Sequence, residues 1–245
     1  MINLLGWLLW QVLLNRWRKA NKNFLPNSMY PESVPPFPLH ESPIRVGVFD
    51  LGGVFIHVEM DKVFASLAKK FSLSEEAMRE SVLDPVLLDL YQRGKISSKA
   101  FYRQIRDKLG HSFSFMSFYR AWVNIFTPNT EMIAFLHTIR PHFKLILLSN
   151  TNVLHIQFLE RHYSFLQLFD HRIYSCDTGF LKPEPPMYQM AIEKANASPK
   201  ECLFVDDTMA NVEGAQRFGM QGFHFTDNTS FFQFWKERVD YSRLK

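Results

Sequence analysis

The sequence predicts an α/β protein, a doubly wound parallel sheet with a small helical domain inserted after the first strand. Three observations predict it. Val46-Gly47-Val48-Phe49 is a short apolar run that ends in a carboxylate and a glycine turn, Asp50-Leu51-Gly52-Gly53. Such a run suits a strand buried on both faces. Residues 60 to 127 place apolar side chains at helical spacing, and from residue 130 onward strands alternate with helices. That alternation, with right-handed crossovers, puts the C-terminal ends of all strands on one edge of the sheet.

Composition sets the bounds. The 245 residues are 47% apolar, enough for one large domain or two small ones with a sizeable core, and too apolar for a disordered chain. The net charge is +4, and half of it lies in residues 1–43, where Arg16, Arg18, Lys19 and Lys22 face Glu32 and Glu41. No long basic block follows, so a nucleic-acid partner is not expected. Cys176 and Cys202 lie in strand-like runs without metal-ligand spacing. They read as buried thiols in a reducing compartment.

Residues 1–14 are mostly apolar but too short to cross a bilayer, and Asn3, Gly6 and Gln11 interrupt them. They lack the basic start of a secretory signal. On a helix Asn3, Gln11, Asn15, Arg18 and Lys22 share a face, so residues 1–25 read as an interfacial anchor at the cytoplasmic side of a membrane. A helix docked on the domain, or a start at Met29, are equal readings. Six prolines in 26–43 mark a linker.

The insert reads as helices. Val63, Phe64, Leu67 and Phe71 share one helix face; Ser74 caps the next helix, with Glu75 and Glu76 in its first turn. Tyr91–Ser97 reads as a junction between helices, and Ser97 or Ser98 caps a helix carrying Phe101, Ile105 and Leu109. The run Phe113, Phe115, Phe118, Tyr119, Trp122, Phe126 reads as packing rather than a ligand cage.

In the second half, helix 130–140 stops near Pro141. Strand 143–148 ends in Ser149-Asn150-Thr151-Asn152, and a helix carrying Val153, Ile156, Phe158 and Leu159 follows. Strand 173–175 precedes Leu181-Lys182-Pro183-Glu184, and Pro183 opens a helix to Ala195. Strand 202–205 ends in Asp206-Asp207. A helix over 211–218 is stopped by Gly219, and strand 222–225 comes last.

Asp50, Ser149-Asn150 and Asp206-Asp207 thus converge on one sheet edge, where open α/β sheets place their chemistry. The carboxylates repel one another unless a cation is present, and hard oxygen donors suit Mg²⁺. Ser149 and the N–H groups of the following helix start offer donors to an anion, and Lys182 offers a fixed positive charge. Around one free carboxylate, these groups describe phosphoryl transfer through an aspartyl-phosphate.

The chain resembles the haloacid-dehalogenase superfamily. The resemblance rests on Phe49-Asp50-Leu51-Gly52-Gly53-Val54, Leu148-Ser149-Asn150-Thr151-Asn152, Leu181-Lys182-Pro183-Glu184 and Phe204-Val205-Asp206-Asp207-Thr208-Met209-Ala210-Asn211. It covers residues 44–245 and is nearest to the YihX-like group of sugar-phosphate phosphatases. It implies a Rossmann-like core over 44–57 and 129–245 and a helical cap over 58–128. It implies a Mg²⁺-dependent phosphatase acting on a small phosphate ester, such as a hexose 1-phosphate. Asp50 would be nucleophile and metal ligand. The Gly52 carbonyl and Asp207 would complete the metal site, with Asp206 orienting a metal-bound water. Ser149 and Asn150 would hold the phosphoryl group, and Lys182 would neutralise it. Gln92, Arg93 and Lys95, at the cap's turn, are candidates for touching substrate, or a solvated charged turn.

One departure stands out. Most phosphatases of the superfamily carry a second Asp two residues after the nucleophile as general acid and base; here that position is Gly52. His57 is the nearest substitute in sequence, or a histidine with no proton-transfer role. The alternatives to a phosphatase are a haloacid dehalogenase, using Asp50 on carbon without a metal, and a catalytically weak, membrane-tethered binding module.

Overall fold

The computed structural model describes residues 44–71 and 73–239. The expectations for residues 1–43, anchor and linker alike, lie outside the described residues. Among the described residues, no helix is long and apolar enough to cross a membrane.

Five parallel strands form the main sheet: β1 (Val46–Phe49), β4 (Lys144–Ser149), β5 (His171–Tyr174), β6 (Cys202–Asp206) and β7 (Gln221–His224), in the order β5-β4-β1-β6-β7. The chain leaves β1 toward β4 and leaves β6 toward β7, so the winding reverses between β1 and β6. Open α/β sheets bind ligands in the crevice at such a point. Register places Phe49 beside both Leu147 and Val205, so Asp50 emerges next to Asp206.

Alternation builds a core on each face. Phe49, Leu145, Leu147, Leu203 and Val205 pack with α6 (Thr130–Ile139), α7 (Val153–His162) and α11 (Asn228–Arg238). Val46, Val48, Ile146, Leu148 and Phe204 pack with α9 (Pro185–Ala195) and α10 (Met209–Arg217). Phe49 is fully buried and meets Phe55 and Phe231 edge-on, with centroids 5.5 and 6.3 Å away. Aromatic pairs of this geometry add to area burial, and this one fixes the strand end from which Asp50 projects.

Between β1 and β4 stand a ribbon and a helical lobe. The antiparallel ribbon pairs β2 (Ile56–Val58) with β3 (Phe126–Pro128). The lobe comprises α1 (Met60–Phe71), α2 (Glu75–Val82), α3 (Pro85–Gln92), α4 (Ser98–Leu109) and α5 (Phe115–Val123). Its apolar cluster is separate from the sheet cores and centres on Phe64, Tyr91, Phe101, Phe118 and Trp122. The aromatic run is therefore packing: Tyr91 stacks on Phe101 at 4.2 Å and Phe118 on Trp122 at 5.3 Å. Ser74 caps α2 by accepting from Ala77 N (3.1 Å), and Ser97, not Ser98, caps α4 (3.2 Å from Ala100 N).

Four expectations need correction. The ribbon was read as helix on its β3 side, because three residues carry no periodicity. Ser175 opens a short helix, α8 (Ser175–Thr178), rather than ending β5, so Cys176 is half-buried in a helix while Cys202 is buried in β6. The helix placed at Pro183 begins at Pro185, and that placed at Asn211 begins at Met209. Helix α11, capped by Asp227 through Ser230 N (2.9 Å), went unread.

The lobe joins the sheet domain through a polar hub. Trp122 of α5 donates from Nε1 to Asn152 Oδ1 (3.3 Å), which also accepts from His155 N (3.1 Å). His155 lies over Trp122 at 4.8 Å; its Nε2 meets the Trp122 carbonyl at 3.0 Å and its Nδ1 meets Asn152 Nδ2 at 3.0 Å. The neutral tautomer with a proton on Nε2 satisfies every group. Burial pushes the imidazole down to about 3, against the lesser pull of the Trp122 carbonyl. The unfolded chain then binds a proton below about 6.5 that the folded chain refuses. Stability is full above that pH and falls on acidification toward pH 3, by up to about 1.4 kcal/mol per pH unit for this one group. His155→Gln is expected to flatten the dependence of the urea midpoint on pH between 4 and 6.5; an unchanged slope would contradict the assignment.

Candidate active site

Asp50 is fixed by its neighbours in the chain. Its N–H donates to Val205 O (2.9 Å), and its Oδ1 accepts from Leu51 N at 2.7 Å. The turn closes behind it, where Phe55 N and Ile56 N donate to Leu51 O (both 3.0 Å) and Gly53 N donates to Ile56 O (2.9 Å). Gly53 has φ +75°, and a Cβ there would fall 2.0 Å from Asp207 Oδ2. Only glycine supplies both the left-handed backbone and room for that carboxylate.

Lys182 is fully buried, with its ammonium between two carboxylates: 2.8 Å from Asp50 Oδ1 and 2.7 Å from Asp206 Oδ2. Burial opposes its charge, but Asp206 and Asp50 outweigh that and move its pKa up. The backbone of Lys182 is pinned by Asn150, whose Nδ2 donates to Lys182 O (2.9 Å) and whose Oδ1 accepts from Lys182 N (2.8 Å). Asn150 was expected to hold the phosphoryl group together with Ser149. Both polar atoms of its side chain bond this loop and so place the lysine. Ser149 is buried at the end of β4, on the same edge.

Asp206 has its acceptor positions filled. Oδ1 accepts from Thr208 N (2.8 Å) and Asn211 Nδ2 (3.0 Å), and Oδ2 accepts from Lys182 and again from Asn211 (3.1 Å). Asp50, Asp206 and Asp207 each offer an oxygen within 4.8 Å of the others. Burial first, then the neighbouring carboxylates, push Asp50 up to about 7 against the pull of Lys182. Asp207 reaches solvent, yet partial desolvation and the Asp206 charge raise it to about 6. Crowded hard-oxygen donors of this kind fit a small divalent cation such as Mg²⁺.

A model of haloacid dehalogenase-like hydrolases matches residues 44–219. The chain belongs to that family. Its relatives include the D-ribitol-5-phosphate phosphatase of Bacteroides thetaiotaomicron, 24% identical over 72% of this chain and 89% of the relative. The sesquiterpene phosphatase astK of Aspergillus oryzae is 26% identical over 75% of this chain and 91% of the relative. Among solved structures, a haloacid dehalogenase-family enzyme from B. thetaiotaomicron, complexed with magnesium and inorganic phosphate, is 26% identical. It superposes with a TM-score of 0.66 over 77% of this chain and 99% of that one.

In this hydrolase the space over Gly52 is open. A Cβ there would meet only Val58 Cγ2, at 3.6 Å, and the backbone has no positive φ. Val58 therefore faces Gly52, and His57, one residue earlier on the same strand, points to the opposite side of the ribbon. That direction favours reading His57 as a histidine with no proton-transfer role. At the turn of the lobe, the Gln92 carbonyl accepts from Ser175 Oγ (2.8 Å), and Arg93 pairs with Glu184. Lys95 is exposed, its ammonium beside Gly179. The residues that sequence reasoning left unassigned are the holders. Asn211 was quoted only as part of a motif, and Glu184 only as the residue after Lys-Pro.

Proposed function

We propose that this hydrolase is a Mg²⁺-dependent phosphatase of small phosphorylated molecules, working through an aspartyl-phosphate on Asp50. The observation that carries the reading is the cluster of three carboxylates, Asp50, Asp206 and Asp207, with the Lys182 ammonium between the first two. Displacement at carbon needs one carboxylate and no metal, whereas a phosphoryl group needs concentrated positive charge. The phosphatase names of the relatives support it, as does the magnesium and phosphate complex of the structural neighbour.

The chain's residues divide the work. Asp50 attacks phosphorus, the ester P–O bond breaks and the organic group leaves as its oxyanion, which takes a proton from solvent. Water then attacks the same phosphorus, the bond from Asp50 oxygen to phosphorus breaks, and inorganic phosphate and the Asp50 carboxylate are released. Lys182, held by Asp206 and by Asn150, carries the charge that meets the phosphoryl oxygens. Ser149 supplies a hydroxyl on the same edge. Asp50, Asp207 and the Gly52 carbonyl would hold Mg²⁺, which when bound neutralises charge between protein and phosphate. Residues 58–128 act as a cap over this edge.

The substrate's organic part has two readings. The family resemblance favours a sugar phosphate. The rim favours a more apolar ester: among the described residues, exposed Val58, Phe180 and Met209 flank the site in sequence, Val58 facing Gly52 and the others two residues from Lys182 and Asp207. A panel of sugar, polyol, aryl and prenyl phosphates, assayed for phosphate release with and without Mg²⁺, separates them. Mg²⁺-dependent release from part of the panel is expected, and none from any ester would end the reading.

Gly52 gives a second test. General acid catalysis contributes about 10²–10⁴-fold, most for poor leaving groups. Without it, log kcat for phosphorylation should fall steeply as leaving-group pKa rises. The open space at Gly52 admits a side chain, so Gly52→Asp is expected to raise rates on alkyl esters and flatten that slope. A flat line for the wild-type protein would show that an acid is present elsewhere.

A further inference from the structure

The lobe touches the sheet domain at a second place, far in sequence from the Trp122 hub. Arg93 ends α3. Its Nη2 and Nη1 donate to the two oxygens of Glu184 at 2.7 and 2.8 Å, a fork-to-fork pair, and Nη1 also reaches Gly179 O at 3.2 Å. Its Nε donates to Asp89 (2.9 Å), which fixes the guanidinium on its own helix. Both side chains are largely buried, 15% and 13% exposed. Charge-assisted bidentate pairs of this kind are directional as well as strong. The backbones meet beside it: a Cβ on Gly94 would lie 2.1 Å from the Cys176 carbonyl oxygen.

Glu184 faces two ways. The Oε2 that takes Arg93 also accepts from Leu181 N at 2.9 Å, and Glu184 N donates to Leu181 O at 2.7 Å. Glu184 thus closes the short loop that holds Lys182, while Asn150 grips the Lys182 backbone from the other side. Only two links separate the lobe's arginine from the buried ammonium between Asp50 and Asp206.

We propose that Arg93 is a positioning residue for Lys182. It acts through Glu184, so that the lysine is aligned with Asp50 when the helical lobe is docked on the sheet domain. The proposal rests on the assignment of Lys182 to the phosphoryl site. It ties the docking of the lobe to the charge that acts on a substrate's phosphate. A misplacement of the order of 1 Å at a reacting group costs on the order of 10²-fold in rate.

The test uses the full chain with Arg93→Met, Arg93→Lys, Glu184→Gln and the Arg93→Met/Glu184→Gln double variant. Activity is measured on the best ester of the panel, with inorganic phosphate as competitive inhibitor. Arg93→Met is expected to lower kcat by about 10- to 100-fold. It should weaken inhibition by phosphate and leave the half-saturating Mg²⁺ concentration within about two-fold, a pattern that a general loss of fold does not produce. Arg93→Lys should recover part of kcat. In the Glu184→Gln background, Arg93→Met should cost little more, because the two act in series. Hydrogen exchange gives a readout that needs no substrate: the Leu181 and Lys182 amides should exchange faster in Arg93→Met. Unchanged exchange there overturns the proposal whether or not the wild-type protein proves to be a phosphatase. So does an Arg93→Met loss that is undiminished in the Glu184→Gln background, which would mean that Arg93 meets substrate directly.

Discussion

Asp50→Asn is expected to lose at least about 10⁴-fold in turnover, on the scale of removing a nucleophile, while melting no lower than the wild-type protein in metal-free buffer. The two halves have one cause. The Asp50 carboxylate is held at the sheet edge beside Asp206 and Asp207, where burial and like charge push it up to about 7. That arrangement serves chemistry and works against folding. The amide keeps an oxygen for Leu51 N and Lys182 and removes one of the crowded charges. It cannot form an acyl-phosphate. Phosphate release and thermal melting on the same preparation check both halves. An active variant would remove Asp50 from the reaction, and an inactive one that melts much lower would mean that the carboxylate is structural.

Lys182→Met has the opposite signature in stability. Methionine fills much the same volume but leaves Asp50 and Asp206 facing each other without the ammonium that sits 2.8 and 2.7 Å from them. Breaking a buried charge pair by removing one partner costs about 3–5 kcal/mol. The variant should therefore unfold at distinctly lower denaturant. In the fraction that is folded, kcat/KM should fall about 10²–10³-fold, as for loss of one preorganised group stabilising transition-state charge. Lys182→Arg tests the geometry: it keeps the charge, but the buried site is built around a compact ammonium, so activity should stay low while part of the stability returns. Wild-type kcat/KM in folded Lys182→Met would contradict the site.

The sequence shows the sheet and its chemistry because both are local. An apolar run ending in a carboxylate can be read as a strand end, as β1 with Asp50 and β6 with Asp206 demonstrate. Three strand ends in order, at Asp50, Ser149 and Asp206, with Lys182 arriving on a loop between the last two, define a site before any contact is known. What could not be read is what only the fold brings together. The ribbon of β2 and β3 has three residues a side and no periodicity to recognise. The two bonds from the Asn150 side chain to the Lys182 backbone join residues 32 positions apart, and no local pattern announces them. Arg93 looks like a solvated turn residue, because its partner lies 91 positions away. His57 looked like a spare acid by distance in sequence alone, and one step of strand alternation turned it away. Helix α11 was left unread although Asp227 caps it, because its aromatic residues face several sides at once.

The central claim is a covalent aspartyl-phosphate, and the stereochemical course at phosphorus tests it most directly, whether or not the intermediate accumulates. An aryl phosphorothioate made chiral with one labelled oxygen is hydrolysed in ¹⁸O-water, and the configuration of the released thiophosphate is determined. Two in-line displacements, first by Asp50 and then by water, give net retention. Inversion would mean a single direct attack by water and would contradict the account.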